Sequence, residues 1–403
     1  MKIHIHTMYF LPEFGSAPIL MNELAAYLSR RGHTVEVVTT LPRTPHNKGY
    51  EGRLFVSERR EGFITRRILT NFTRHHFGRL IAWSIYTLYS ILRLVKVRRG
   101  DVVFLRLPPL QLGVTGALAR ILRGARVMLN VQDIHPDLSI ESGLLKNPFI
   151  IKAALAFEKW IYDRHKNIVV ISDGFKKNLE AKGVPPETIT VIPNWVDTDF
   201  LKPLPKDNPV STRYGFSRKF VLMYSGIISI SSYATLVKIL ETASLLKDDP
   251  EILFAVVGDG FKANDLKAQA GRLGLPNVVF LPFVPYAELP SSMASADVLL
   301  VPLDKEKSLL SVPSKVYNYM AAGRPILGLA HPDSEVFKLI GDTRCGVCVP
   351  CADPPLIAEA VRSLKNDPAS RAAMGAGGRA YALSHFSRDL VLKRYEDLMA
   401  SMR

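Results

Sequence analysis

Apolar residues recur along this chain in two rhythms. Short alternating or wholly apolar runs read as strands: Ile3 and Ile5 in the first, then Thr34 to Thr40, Asp101 to Leu105, Ala125 to Val131 and Ile168 to Ile171. Between the first two, Ile19, Leu20, Leu24, Tyr27 and Leu28 fall at helical spacing. Basic Arg30 and Arg31 close that helix, and Gly32 stops it. Leu110 to Leu122 reads as a second helix of the same kind. The alternation breaks after Val191–Asp197, where Pro203, Pro205 and Pro209 mark a connection. It restarts with Phe220 to Gly226, a helix over 232–247, and strands at Ile252, Val278 to Leu281, Asp297 to Val301 and Pro325 to Leu329. Phe386 to Met402 reads as an amphipathic helix. Strands alternating with helices predict parallel sheets, and 403 residues exceed one ordinary core. The expectation is α/β: two Rossmann-like, doubly wound parallel-sheet domains facing a central cleft. They span residues 1–195 and 196–385, with a terminal helix at about 386–403 packing back on the first.

Composition narrows the class. Hydrophobic residues make up 47% and charged residues 22%, which excludes a disordered chain. The start alternates like a strand and lacks the features of a signal peptide. No apolar run reaches the roughly 18 residues that span a bilayer, so the expected location is cytoplasmic. The net charge of +15 is unevenly placed: between Arg53 and Arg126, fifteen Lys or Arg face only Glu58, Glu61 and Asp101. Such a zone attracts anionic partners. Within it, Leu80 to Leu92 is apolar almost all round and is flanked by Arg79, Arg93, Lys96, Arg98 and Arg99. It reads either as a buried helix or as an in-plane helix on anionic lipid, with Trp83, Tyr86 and Tyr89 at head-group depth. No nucleic-acid-binding motif accompanies the cations. Cys345, Cys348 and Cys351 read as buried thiols on an apolar strand rather than a metal site.

Three stretches carry candidate chemistry. Ser311 to Leu327 reads as loop, helix, turn and strand, with Pro313 at the helix start and Gly323 at its end. A helix start presents backbone N–H groups and a positive dipole end, and Ser314 and Lys315 sit there, as a phosphate cradle requires. Asn130 to Asp137 follows a strand end and holds Asp133, His135 and Asp137 within five residues. Gly15 lies in the loop between the first strand and helix, but the dinucleotide fingerprint is absent. Asp197 and Asp199 form a D-x-D in the interdomain connection, which argues against a metal role.

Taken together, these residues resemble the family 4, retaining, nucleotide-sugar-dependent glycosyltransferases with the GT-B fold. The likeness rests on Tyr9 to Ser16, Arg31 to Thr39, Val191 to Asp197, Val257 to Gly260, Asn277 to Leu281, Ala296 to Pro302 and Met320 to Ile326. Gln132 to Asp137 and Pro313 to Lys315 are similar to the bacterial subgroup that builds O-antigen, capsule and exopolysaccharide and includes the N-acetyl-fucosamine transferases. The resemblance implies a sugar nucleotide, UDP favoured, as co-substrate and no cofactor or metal. It places Gly15, Ser16, Gly226, Ser314 and Lys315 at the donor diphosphate. Pro282, Phe283, Val284 and Asn318 would hold the nucleoside. Asp133, His135 and Lys315 would be catalytic. The implied acceptor is a lipid-linked saccharide at the inner face of the cytoplasmic membrane. The chain departs from the family where many relatives carry a Glu-x7-Glu pair: Leu310 and Asn318 stand there. No Arg or Lys follows Gly226 closely, and Gln132 replaces a His. These departures keep a second function open, a non-catalytic GT-B subunit that binds nucleotide or sugar and regulates a partner.

Overall fold

The computed structural model describes residues 1–13, 15–43, 46–70, 76–141, 143–303, 309, 312–350 and 353–402. Leu310, Ser311 and Cys351 lie outside them. The chain forms two compact units, Met1–Asn194 together with Val391–Arg403, and Trp195–Leu390.

Unit 1 runs β1 (Lys2–His6), α1 (Ser16–Arg30), β2 (Thr34–Thr40), β3 (Phe55–Arg60), β4 (Phe63–Ile68), α2 (His76–Arg93), β5 (Val102–Leu107), α3 (Leu112–Arg123), β6 (Arg126–Val131), α4 (Asp137–Glu141), α5 (Pro148–Tyr162), β7 (Ile168–Val170), α6 (Asp173–Ala181) and β8 (Ile189–Val191). Its eight strands lie in the order β3-β4-β2-β1-β5-β6-β7-β8. The central strands β1, β5, β6 and β7 are buried almost throughout and mostly apolar, as strands covered on both faces tend to be, with His4, His6, Arg106 and Asn130 as buried polar exceptions. All neighbours are parallel except β3, which pairs antiparallel with β4. This edge hairpin adds one antiparallel strand to an otherwise parallel sheet. It turns on Glu61 and Gly62, both at positive φ, the geometry that matches strand twist in a two-residue turn. Its sequence hid it: β3 is solvent-washed and polar, and β4 carries Arg66 and Arg67 where an apolar alternation would be sought.

Unit 2 runs α7 (Pro209–Tyr214), β9 (Phe220–Ser225), α8 (Ile230–Leu245), β10 (Ile252–Val257), α9 (Ala263–Leu273), β11 (Val278–Leu281), α10 (Leu289–Ala294), β12 (Val298–Pro302), α11 (Ser314–Ala321), β13 (Ile326–Leu329), α12 (Glu335–Thr343), β14 (Gly346–Val349), α13 (Pro354–Asn366) and α14 (Pro368–Tyr381). Its six strands follow the order β11-β10-β9-β12-β13-β14 and all pair in parallel. Two apolar clusters cover its two faces, one around Val221, Val301 and Val316, the other around Leu222, Leu240 and Val361. Cys345 is buried at the edge of this core, as a small hydrophobe would be.

Helix α15 (Arg388–Ser401) ends the chain. In unit 1 its Tyr395 packs edge-on to Phe104 at 5.9 Å and accepts a hydrogen bond from the Asn130 side chain at 2.9 Å. Glu396 accepts from Tyr27 and His33. Helix α2 buries Ala82, Tyr86, Tyr89 and Ser90, but its other face leaves Ile81, Leu88 and Leu92 in solvent. It is amphipathic in placement although nearly uniform in composition; Tyr86 and Tyr89 lie on the buried face, which corrects the in-plane reading that set them at head-group depth. No helix among the described residues is long and apolar enough to cross a membrane.

Candidate active site

In a doubly wound sheet, ligands bind beyond the carboxyl ends of the strands, where the strand order reverses. That point lies between β9 and β12 in unit 2 and between β1 and β5 in unit 1.

In unit 2 the loops after β9, β10 and β11 close on one another through glycines. Gly258 sits at φ 144°, and a Cβ there would lie 2.0 Å from the Gly226 carbonyl oxygen and 3.3 Å from the Phe283 ring. Gly226 is itself at φ 155°, and a Cβ would come 2.9 Å from the Lys315 Nζ. Only glycine permits this approach. Tyr319, buried on α11, holds the loop from beneath. Its hydroxyl donates to the Ser225 carbonyl at 3.2 Å and accepts the Ser225 N–H at 3.3 Å.

Lys315 lies in the first turn of α11, with its Nζ 4.0 Å from the centre of the Tyr224 ring. No carboxylate among the described residues pairs with it. Burial alone pushes its pKa down to about 7. Pro313 caps α11 without a side-chain hydrogen bond, and Ser314 is the first helical residue. The result is a cation and a helix start beside a glycine loop, which suits phosphate oxygens. Asn318 is half-buried one turn along α11. Phe283 is half exposed beside Gly258, Pro282 is exposed, and Val284 packs on the core. The structure therefore brings Gly226, Phe283, Ser314 and Lys315 together at one sheet end.

In unit 1, Gly15 stands before α1 at φ 134°, with Ser16 exposed as its first residue. The preceding loop is pinned by Arg67, fully buried, which donates to the carbonyls of Leu11 and Thr40 and to Glu58. Glu13 accepts from the Arg43 backbone and guanidinium. After β6 the side chain of Asp133 is open to solvent. The protein crowding around its carboxyl raises its pKa, against the opposing pull of Arg106. Arg106, on β5, is buried, and its Nε finds no hydrogen-bond partner among the described residues. His135 faces Ser139 at 3.2 Å and lies edge-on to Trp83 at 5.7 Å. Burial, then Arg79, lowers its pKa against an opposing pull from Asp137, which favours the neutral imidazole.

Asp137, the third polar residue of this stretch, accepts from Lys182 and Asn178. Gln132 is also turned inward, bonded to Asn130 and Asn194. Asp197 accepts the backbone N–H groups of Asp199 and Phe200 and pairs with Arg388, so its carboxylate is engaged in the chain's own turn. Tyr224, Tyr319 and Arg106 carried no signal in the sequence, because each sits inside an apolar run and reads as core.

Residues 17–195 match the glycosyl transferase 4-like domain, and residues 217–381 match the glycosyl transferases group 1 domain. The chain belongs to glycosyltransferase family 4. This glycosyltransferase is 29% identical to the probable glycosyltransferase WbjE of Pseudomonas aeruginosa over 68% of each chain. It is 26% identical to the putative colanic acid biosynthesis glycosyl transferase WcaI of Escherichia coli over 91% of each. Among solved structures, HepE of Anabaena in complex with UDP superimposes with a TM-score of 0.75 over the whole of both chains, at 16% identity. That likeness shows the fold, GT-B.

Proposed function

We propose that this glycosyltransferase moves a hexose or N-acetylhexosamine from a nucleoside-diphosphate sugar, UDP favoured, to a lipid-linked saccharide of the cell surface, with retention of configuration. The observation that carries the reading is Lys315, a half-buried cation with no anionic partner among the described residues, at the start of α11 beside the Gly226 loop. The relatives named for polysaccharide synthesis support the acceptor class, and the UDP complex of HepE supports the base.

In this reading the bond between the sugar C1 and the phosphate oxygen breaks. Its electron pair goes to the leaving diphosphate, which Lys315, Ser314 and the α11 N–H groups stabilise. The acceptor oxygen bonds to C1, and its proton passes to the leaving phosphate or to Asp133, whose raised pKa suits a proton acceptor. His135 is assigned to hydrogen bonding of the acceptor hydroxyl. Gly15 and Ser16 are assigned to the diphosphate, and Phe283, its neighbours Pro282 and Val284, and Asn318 to the nucleoside. Charge neutralisation rests on these groups rather than on a metal, so turnover is expected to survive EDTA.

The test is a thermal-shift panel of UDP, GDP, ADP and dTDP and their sugars, repeated with Lys315→Ala. A shift with one nucleoside diphosphate, lost in the variant, supports the cradle and identifies the base. No shift with any of them overturns it. Where a donor is found, the anomeric configuration of the product, read by NMR, decides between retention and inversion.

A further inference from the structure

Helix α5 divides its residues unusually. Its one acid, Glu158, points inward with Ile161 and Tyr162 and is 1% exposed, where its carboxylate accepts from Lys182 at 2.8 Å. Five of its large apolar residues point outward: Phe149 is 83% exposed, Ile150 is 54%, and Leu155, Phe157 and Trp160 each keep more than a third of their surface in solvent. The inner seat is firm. Ile161 is fully buried against Gly113 of α3, where a Cβ would lie 2.4 Å from its Cγ2. The helix start is capped by Asn147, which accepts from the N–H groups of Phe149 and Ile150. The outward apolar residues are therefore presented by an anchored helix. Leaving this much apolar surface in water is unfavourable unless something covers it.

The charges around that face select the cover. From Leu144 to Lys166 the charged residues besides Glu158 are Lys146, Lys152, Lys159, Asp163, Arg164 and Lys166. The one outward acid, Asp163, is paired with Lys159 at 2.9 Å. Arg164 stacks on Trp160 at 4.1 Å, and Trp160 in turn on Phe157. An apolar ridge bordered by cations, with an indole among them, fits the head-group boundary of an anionic bilayer. A second copy of the chain fits poorly, since a two-fold contact would oppose the same cations.

We infer that α5 lies in the plane of an anionic membrane surface, with Phe149, Ile150, Phe157 and Trp160 below head-group level and Lys152, Lys159 and Arg164 on lipid phosphates. The connection from β6 to β7 that carries α5 also carries Asp133 and His135. Resting on the proposed lipid-linked acceptor, this places the membrane contact in the same crossover as the residues assigned to that acceptor.

The experiment is co-sedimentation of the full chain with vesicles of phosphatidylcholine alone or with about a third phosphatidylglycerol, at low and high salt. Binding to the anionic vesicles that weakens with salt is expected. The double variant F149D/I150D should lose about tenfold or more in partitioning, with an unchanged melting temperature. L88D/L92D on the outer face of α2 should bind like the parent. In a Trp83→Phe background, the blue shift of emission on binding should disappear with Trp160→Phe. Absent binding at low salt, equal binding of F149D/I150D, or a loss confined to L88D/L92D overturns the assignment. So does self-association that F149D/I150D abolishes while vesicle binding persists. No nucleotide enters the assay, so its failure is distinguishable from failure of the proposed transfer reaction.

Discussion

Lys315 is informative because its half-buried ammonium has no anionic partner among the described residues. In an unfolded chain its pKa is about 10.4, and in the folded protein burial brings it to about 7. Between those values the unfolded chain binds a proton that the folded chain does not, so this residue makes stability rise with pH over that window. Its full desolvation cost is felt below pH 7. A bound diphosphate favours the charged form and reverses the shift. UDP binding at pH 8 is therefore expected to take up about one proton, measured by calorimetry in buffers of different ionisation heat. Lys315→Met should abolish the uptake and weaken UDP by about tenfold or more. Tyr319 acts through the backbone. Tyr319→Phe removes both hydrogen bonds to Ser225 and should cost about 1 kcal/mol in urea unfolding, with a smaller nucleotide-induced shift than the parent.

At the scale of elements, three loops and a helix start make the candidate donor site, and their closeness depends on missing side chains. Gly258→Ala would drive a methyl group into the Gly226 carbonyl in a backbone region that alanine avoids. It should destabilise by about 2–4 kcal/mol and abolish the nucleotide-induced thermal shift. In unit 1 the clamp joining α4, α5 and α6 contains Glu158, whose pKa burial raises to about 7 despite Lys182. Its unfolded value is near 4.3. Between the two, the folded chain holds a proton that the unfolded chain has shed, so Glu158 makes stability fall as pH rises from about 4.3 to 7. Denaturant titrations of Glu158→Gln should show this fall flattened, so the variant compares better with the parent at pH 8 than at pH 5. Lys182 keeps Asp137 as its partner in the variant.

At the scale of the whole molecule, each unit has its own sheet and core, and both apolar clusters around the second sheet lie within Trp195–Leu390. That span also holds Gly226, Phe283, Ser314, Lys315 and Tyr319. Expressed alone, residues 195–390 should fold cooperatively and keep a UDP-dependent thermal shift. An unfolded or nucleotide-blind fragment would place essential donor contacts outside unit 2.

The periodicity of apolar residues by itself determined the two doubly wound units and most central strands, because a strand buried on both faces is written mostly in apolar residues. Gly15, Gly226 and the Pro313–Lys315 helix start were legible for a related reason: tight turns and helix starts restrict residue type locally. The roles of Arg106, Tyr224 and Tyr319 were decided only by tertiary structure. A buried tyrosine in an apolar run looks the same whether its hydroxyl props a loop or merely finds a partner. The hairpin of β3 and β4 escaped because an edge strand needs no apolar alternation. Packing of α4 against α6 gives Asp137 to Lys182, a pairing that spacing along the chain does not reveal. The outward face of α5 followed the same logic: composition marks a helix as apolar, but only its neighbours decide which side is left in water.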